Sequence, residues 1–251
     1  MKRRSRWIQS LCFAILLLAF AGDPVKAQEV HDDPEARAHL EEARQRVVVW
    51  DRFPGFKAKL EVNQDGKRSS GKLTILPSGK VEVELPDREV TEWASGILKS
   101  LVNHRLKLDT HKHEEAPIAF GPEDQHPLGR LVKKGDRLSS TYRIKGRQIL
   151  QVNQKTEKGW LSLNVLEYVP TLHGFLPKQV AVFQFDEKGS LVKSTVFTDE
   201  YVEVEKFWLP KSRVIIAAQG EKIEVSTLQF HEHRLLPKER PRPRLPDPAL
   251  K

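Results

Sequence analysis

The residues best suited to chemistry form one histidine-rich stretch, His111-Lys112-His113-Glu114-Glu115. Imidazoles two positions apart and neighbouring carboxylates are groups that can bind zinc. No second spaced pair of the HExxH kind accompanies them, so the ligand types are present without a fixed geometry. His111 and His113 are weak candidates for a metal site, and they leave a histidine-dependent metal enzyme as one hypothesis.

Other catalytic signatures are absent from the sequence. No serine lies in a G-x-S-x-G turn, and no glycine-rich loop joins a strand to a helix as in nucleotide sites. The single cysteine, Cys12, lies in the apolar N-terminal stretch, so the rest of the chain has no thiol nucleophile, Cys-ligated metal or disulfide. The sequence therefore predicts a non-enzymatic protein without a cofactor.

The N-terminal residues have the layout of a secretory signal peptide. Lys2, Arg3, Arg4 and Arg6 precede an apolar run, residues 11–21, and small residues lead to Ala27. The run is shorter than the roughly 20 apolar residues that span a bilayer. We predict a signal peptide over residues 1–27, cleavage after Ala27, a secreted or periplasmic protein, and no stable transmembrane segment after cleavage. An uncleaved anchor is the alternative.

The net positive charge comes from the two ends of the chain. The formal net charge is +8, and residues 1–27 and 234–251 supply all of it, which leaves residues 28–233 neutral. A nucleic-acid-binding face would need basic clusters within the folded part. The end, PKERPRPRLPDPALK, carries five prolines and predicts a basic disordered tail over 234–251. It is either a solvated terminus or an arm that touches an anionic envelope surface.

Two helices are predicted on the N-terminal side. Asp33 can cap a helix whose apolar residues recur at steps of three and four as far as Trp50, and Pro54 ends it near Asp51. A second helix begins at Asp87 and should lie against a sheet. Its apolar side consists of Val90, Trp93, Ala94, Ile97, Leu98, Leu101 and Val102.

The remainder predicts an antiparallel sheet. Alternating residues and turns predict three strands between residues 56 and 85, then strand after strand from residue 130, separated by glycine turns. Residues 108–128 lack periodicity and predict a long loop. We expect an α+β fold in one domain, residues 28–233: a curved antiparallel sheet, or incomplete β-barrel, with two main helices on its concave side.

One strand suggests a binding surface. In FPGFKAKLEV, Phe56, Ala58, Leu60 and Val62 share one face, and the second helix would cover them with Trp93, Ile97 and Leu101. His104 continues that helical stripe, and with Arg105 beside it could hydrogen-bond a ligand head group. The alternative is a core-edge histidine bonded to backbone.

Several short segments carry a resemblance to known families. WDRFPGFKAKLEV, SGKLTI, GKVEVEL, LVNHR and EYVEVEKFWLPKSRVI resemble a secreted family of unknown function best represented in cyanobacteria and planctomycetes, over most of residues 33–230. More distantly, the order of helix and strands is similar to the periplasmic lipoprotein carriers of the LolA and LolB type. That resemblance implies an incomplete barrel that holds acyl chains, although no ligand-contacting residue of the carriers matches one to one.

Three functions remain open on this reading. The first is a non-enzymatic envelope protein whose half-barrel binds a lipid or lipoprotein acyl chain through Phe56, Leu60 and their neighbours. The second is a structural or interaction module with a self-filled core. The third is the histidine-dependent metal enzyme.

Overall fold

The computed structural model describes residues 30–106 and 116–237. Within these ranges the chain forms two helices and one twelve-stranded sheet. The helices are α1 (Pro34–Gln45) and α2 (Arg88–Arg105). The strands are β1 (Phe56–Gln64), β2 (Lys67–Ile75), β3 (Val81–Glu84), β4 (Ile118–Phe120), β5 (Arg130–Lys134), β6 (Thr141–Lys145), β7 (Gln148–Thr156), β8 (Gly159–Thr171), β9 (Gly174–Phe185), β10 (Leu191–Val204), β11 (Phe207–Gln219) and β12 (Lys222–Leu235).

The sheet is antiparallel throughout and remains open. Its strand order is β3-β2-β1-β12-β11-β10-β9-β8-β7-β6-β5-β4, so a short meander and a long one meet where β1 pairs with β12. β3 and β4 are the edge strands and do not pair with each other. The predicted fold class, an open curved antiparallel sheet with two helices, is confirmed.

Both helices pack on the same face of the sheet, called the concave face below. Residues paired directly across neighbouring strands project to the same side, so the strand register identifies the residues that share this face. Starting beneath α2 and ending beneath α1, the pairs are Val62 with Leu228, Leu228 with Arg213, Arg213 with Asp199, Phe197 with Val180, Val180 with Val165, Val182 with Leu163, Leu163 with Val152, and Val152 with Tyr142.

Helix α1 begins where its sequence predicts and ends earlier. The Asp33 carboxylate accepts hydrogen bonds from the backbone of Glu35 and Ala36, and a proline opens the first turn. The predicted end near Asp51 is wrong, because the helix stops at Gln45. The backbone N–H of Val48 instead donates to the carbonyl of Phe175 at the start of β9, so the valine run extends rather than coils.

Helix α2 confirms its predicted start. Asp87 caps it through the backbone N–H of Val90, and Lys67 lies 2.7 Å from the same carboxyl group. Its buried residues are Val90, Ala94, Leu98, Leu101, Val102 and Arg105. They pack with β1, β2, β11 and β12 into the larger hydrophobic cluster, whereas α1 packs with β4 to β7 into a separate, smaller one.

Two boundaries differ from the sequence prediction. β4 lies within the predicted loop 108–128. The backbone N–H of Asp33 donates to the carbonyl of Ile118, and the backbone N–H of Ile118 donates to the Asp32 carboxylate. β12 continues to Leu235 because this residue pairs with Phe56, so the last residues of the strand belong to the sheet and not to the predicted tail. Long-range pairing, which no local pattern displays, fixes both segments.

Three predictions concern residues outside the described ranges. They are the signal peptide over residues 1–27, the candidate metal ligands His111 and His113, and the greater part of the tail, residues 238–251. In the part of the chain that is described, neither helix is long and apolar enough to cross a membrane.

Candidate functional site

The predicted binding residues of β1 lie in the closed core beneath α2. Phe56 and Leu60 are 0% exposed, and Ala58 and Val62 are buried as well. Helix α2 covers them chiefly with residues of its central stripe, such as Leu98 and Val102, which are also fully buried. In this state the four β1 side chains contact the protein itself, and a ligand could reach them only if α2 moved.

The predicted residues of α2 are divided between the core and the surface. Leu101 is buried, and Trp93 and Ile97 are half-buried against the same cluster. His104, predicted at the inner edge, is solvent-exposed, and its neighbour Arg105 is buried in its place. The predicted inward position is wrong by one residue at this end, because the buried side of the last helical turn faces Trp50 and β10.

The middle of the concave face differs from its two covered ends. On β8, β9 and β10 this face carries a group of half-buried apolar side chains that are not among the buried residues of either helix-covered cluster. The polar residues Gln184, Lys193 and Thr195 lie beside them on the same face. We call the half-buried apolar side chains the apolar floor: Leu161, Leu163, Val165, Val180, Val182 and Phe197. The sequence predicts strands at most of these residues but not a binding surface, because alternating apolar residues look the same in a sequence whether their side chains are half-exposed or fully buried.

One end of the floor is closed by the segment that follows α1. The N–H of Phe175 donates to the carbonyl of Arg46, and a Cβ at Gly174 would collide with that same carbonyl group. Gly174 has a φ of +148°, which also favours glycine. The indole of Trp50 then donates to the carbonyl of Trp208 at 2.9 Å, which holds the segment across the starts of β9 and β11.

A charged cluster lies where this closed end meets α2 and the floor. Arg213 forms a two-pronged ion pair with Asp199, at 2.6 Å from Nε and 2.7 Å from Nη2, with side chains only 11% and 5% exposed. The hydroxyl of Tyr201 donates to the carbonyl of Pro177 at 2.6 Å. Burial raises the pKa of Tyr201, so the phenol stays protonated.

Arg105 completes this cluster from the end of α2. Its Nη2 donates to the carbonyl of Trp208 at 3.0 Å, and its guanidinium lies 5.5 Å from the Trp50 ring and 5.3 Å from the Tyr201 ring. Burial lowers the pKa of Arg105 to about 10, while Tyr201 and Asp199 act in the opposite direction. The side chain is therefore cationic at neutral pH.

Two surface cavities lie away from the floor's charged end. They measure about 480 Å³ and about 740 Å³. Most of the residues that line them are polar or charged, for example Asn153 and Glu187 in the first and Arg68 and Asp87 in the second. Pockets for apolar ligands are lined mainly by hydrophobic side chains, so neither cavity suits an acyl chain.

Metal ligands do not converge in the described part of the chain. Within residues 30–106 and 116–237, no group of three His, Cys, Asp or Glu side chains could hold a metal ion. His231 lies 3.8 Å from the Glu61 carboxylate, and His233 contacts the carbonyl of Pro210 at 2.8 Å. His111 and His113 lie outside the described residues.

Comparison with solved structures finds matches of low similarity. One is a LolA superfamily protein from Nitrosomonas europaea, with 12% identity, a TM-score of 0.34, and coverage of 82% of this chain and 94% of that chain. Another, described as an outer membrane lipoprotein-sorting protein domain from Vibrio parahaemolyticus, has 10% identity, a TM-score of 0.33, and coverage of 80% and 92%. No curated protein matches the chain.

The family comparison covers almost the whole described fold. The matching family model is that of a protein of unknown function, DUF3386, and it spans residues 31–236, from before α1 to the end of β12. This match confirms the resemblance to a family of unknown function that the sequence segments indicated. The chain belongs to the DUF3386 family.

Proposed function

We propose that this protein is a non-enzymatic carrier that holds a hydrophobic ligand, a lipid or a lipoprotein acyl chain, on the apolar floor of its concave face. The observation that carries the proposal is the incomplete cover of this floor. Leu163, Val182 and Phe197 lie between two helix-covered clusters and keep part of their apolar surface exposed. An acyl chain laid on them would remove that surface from water, at about 25 cal/mol per Å².

The architecture supports a carrier more than a catalyst. The floor presents aliphatic and aromatic side chains on three neighbouring strands, and the charged groups nearest to it are paired or stacked rather than aligned as an acid and a base. Binding by burial requires shape and apolar area, both of which a curved sheet provides. The described residues thus offer a surface for holding a chain and no evident means of cleaving one.

A structural or interaction module is the second candidate. Full burial of Phe56 and Leu60 favours it, because the part of the concave face beneath α2 is already filled by the protein's own side chains. The two candidates differ in what happens at the floor. A carrier takes up a ligand there, whereas a module with a self-filled core does not.

The place of action and the other partners are part of the proposal. The basic and apolar N-terminal residues support export as a secreted or periplasmic protein. The basic residues from Arg234 onward support contact between the C-terminal end and an anionic envelope surface. A carrier in this location would move its ligand through an aqueous compartment.

The deciding experiment is native mass spectrometry of the mature protein, purified without detergent from an envelope fraction, followed by organic extraction and lipid analysis. A matched pair of variants locates the site. Val182→Lys places a charge on the floor, and Val196→Lys places the same charge on the opposite face of the neighbouring strand, where the valine is also half-buried. Lysine can extend its amine toward water at either position, so both variants should fold.

We expect a stoichiometric lipid on the wild-type protein and on Val196→Lys, and its loss from Val182→Lys. Loss from Val196→Lys alone would move the site to the convex face, where Ile216, Ile223 and Val225 are exposed. A bare mass, together with no uptake of a fluorescent fatty acid, would refute the carrier proposal and favour the interaction module.

A further inference from the structure

Arg105 has donors that the protein does not use. The residue is only 4% exposed, and its Nε and Nη1 atoms are buried without a hydrogen-bond partner. Buried polar groups are nearly always hydrogen-bonded, and leaving the donors of a charged group unpaired is costly. The guanidinium lies over the rings of Trp50 and Tyr201, and the Tyr201 phenol favours its charged form, but neither Nε nor Nη1 has an acceptor in hydrogen-bond geometry.

The charges around Arg105 are also unbalanced. Asp199 is the carboxylate beside both guanidinium groups, and its two oxygens are occupied by Arg213. The cluster formed by Arg105, Arg213, Asp199 and Tyr201 therefore carries one positive charge in excess. Buried charges are normally neutralised by a partner, and here the protein supplies one acid for two bases.

The cluster borders the apolar floor. The guanidinium of Arg213 lies 4.9 Å from the centre of the Phe197 ring, and Phe197 is a floor residue paired with Val180. His104, adjacent to Arg105, is solvent-exposed, so the last turn of α2 lies at the edge of the concave face. Because Nε and Nη1 of Arg105 are buried, a ligand could reach them only if this turn moved.

We infer that the ligand is an anionic amphiphile, whose carboxylate or phosphate group accepts a hydrogen bond from Nε or Nη1 of Arg105 while its chain lies on the apolar floor. This inference rests on the proposed carrier function and adds the chemistry of the head group. Nε–H and Nη1–H point to different sides of the guanidinium, so each can donate one charge-assisted hydrogen bond to an oxyanion. The ion pair with Arg213 occupies the Asp199 carboxylate, so Arg105 is the base left without an acid of its own.

The test compares ligands that share one chain and differ in the head group. Oleate, oleyl phosphate and neutral oleyl alcohol are titrated into the wild-type protein at pH 8, with displacement of a bound fluorescent fatty acid as the signal. A hydrogen bond to a charged group supports a preference of at least roughly tenfold for the anions over the alcohol. Comparing oleate with oleyl phosphate shows which oxyanion the site favours.

A variant pair assigns the preference to Arg105. Arg105→Gln should bring the affinity for oleate down to that for oleyl alcohol, whereas Arg105→Lys should retain part of the difference. Arg130→Gln is the matched control, because Arg130 also has a buried unpaired Nη1 and stacks on a ring, that of Phe120 at 4.7 Å, beside α1. It should leave the ligand preference unchanged.

The outcomes separate this inference from the carrier proposal. Equal binding of oleate, oleyl phosphate and oleyl alcohol to the wild-type protein overturns the anionic head group and leaves the carrier function intact. So does a folded Arg105→Gln protein that keeps the anion preference. Binding of none of the three ligands refutes the carrier function, and the head-group inference with it. The wild-type comparison decides the matter even if Arg105→Gln does not fold.

Discussion

The covered and uncovered parts of one sheet face show how the same strand pattern produces two different surfaces. On β1, the alternating residues from Phe56 to Val62 are sealed by α2, and Leu60 is fully buried. On β8, Leu161, Leu163 and Val165 alternate in the same way but remain half-buried, because neither helix reaches them with its buried face. Alternation therefore indicates which side is apolar, and the neighbouring elements determine whether it is core or binding surface.

The largest expected effect comes from the boundary between the two parts. Asp199→Ala removes the carboxylate that pairs with Arg213 and lies near Arg105, and leaves two buried guanidinium groups without an acid. Breaking a buried ion pair in this way should lower the free energy of unfolding by about 3–5 kcal/mol, measured by urea denaturation.

The next residue along the strand provides a matched control for Asp199→Ala. Glu200 is exposed on the opposite face, where it accepts from Ser212 and lies 3.4 Å from Lys211. Glu200→Ala should cost less than about 1 kcal/mol, as exposed pairs do. Equal losses for the two variants would show that the Asp199 cluster is no more buried in solution than the surface.

The second prediction compares two leucines directly. Leu60→Ala should lower the free energy of unfolding by about 2–5 kcal/mol, because it leaves a cavity beneath α2. Leu163→Ala should cost about 1 kcal/mol, since its half-exposed side chain has less apolar area to lose. Urea denaturation of both variants measures the difference.

Ligand binding should show the reverse order for the same two variants. Leu163→Ala should weaken uptake of a fluorescent fatty acid, and Leu60→Ala should leave uptake by the folded fraction unchanged. A Leu60→Ala protein that folds but loses the ligand would instead place the ligand beneath α2, where the sequence first suggested it.

The sequence predicted the architecture better than the site, for physical reasons. Period-two alternation and turn glycines locate strands, and the caps at Asp33 and Asp87 locate helix starts. The end of α1, the edge strand β4 and the last residues of β12 depend on long-range backbone pairing, which leaves little local signal. The helical pattern predicted His104 as the inward residue, whereas Arg105 is the buried one. A period of 3.6 residues does not determine which of two neighbouring residues at the end of a helix points inward.

The smallest expected effect is a pH dependence of stability that comes from His104 in the last turn of α2. Partial desolvation of the imidazole, and then the positive charge of Arg213, lower the pKa of His104 from its usual 6.5. The folded state therefore binds this proton less readily than the unfolded state, so stability present above about pH 6.5 is lost as the pH falls through the lowered value. Because His104 is exposed, the loss between pH 7 and pH 5 should be under about 1 kcal/mol.

A paired urea titration at pH 7 and pH 5 isolates this contribution. His104→Gln should reduce the loss of stability between the two pH values, while His173→Gln, an exposed histidine in the turn between β8 and β9, should not change it. The Asp32, Asp87 and Asp124 carboxyls, whose pKa values are lowered, titrate below this window and do not interfere. An unchanged pH dependence in His104→Gln would show that the pKa of His104 is not lowered in the folded protein.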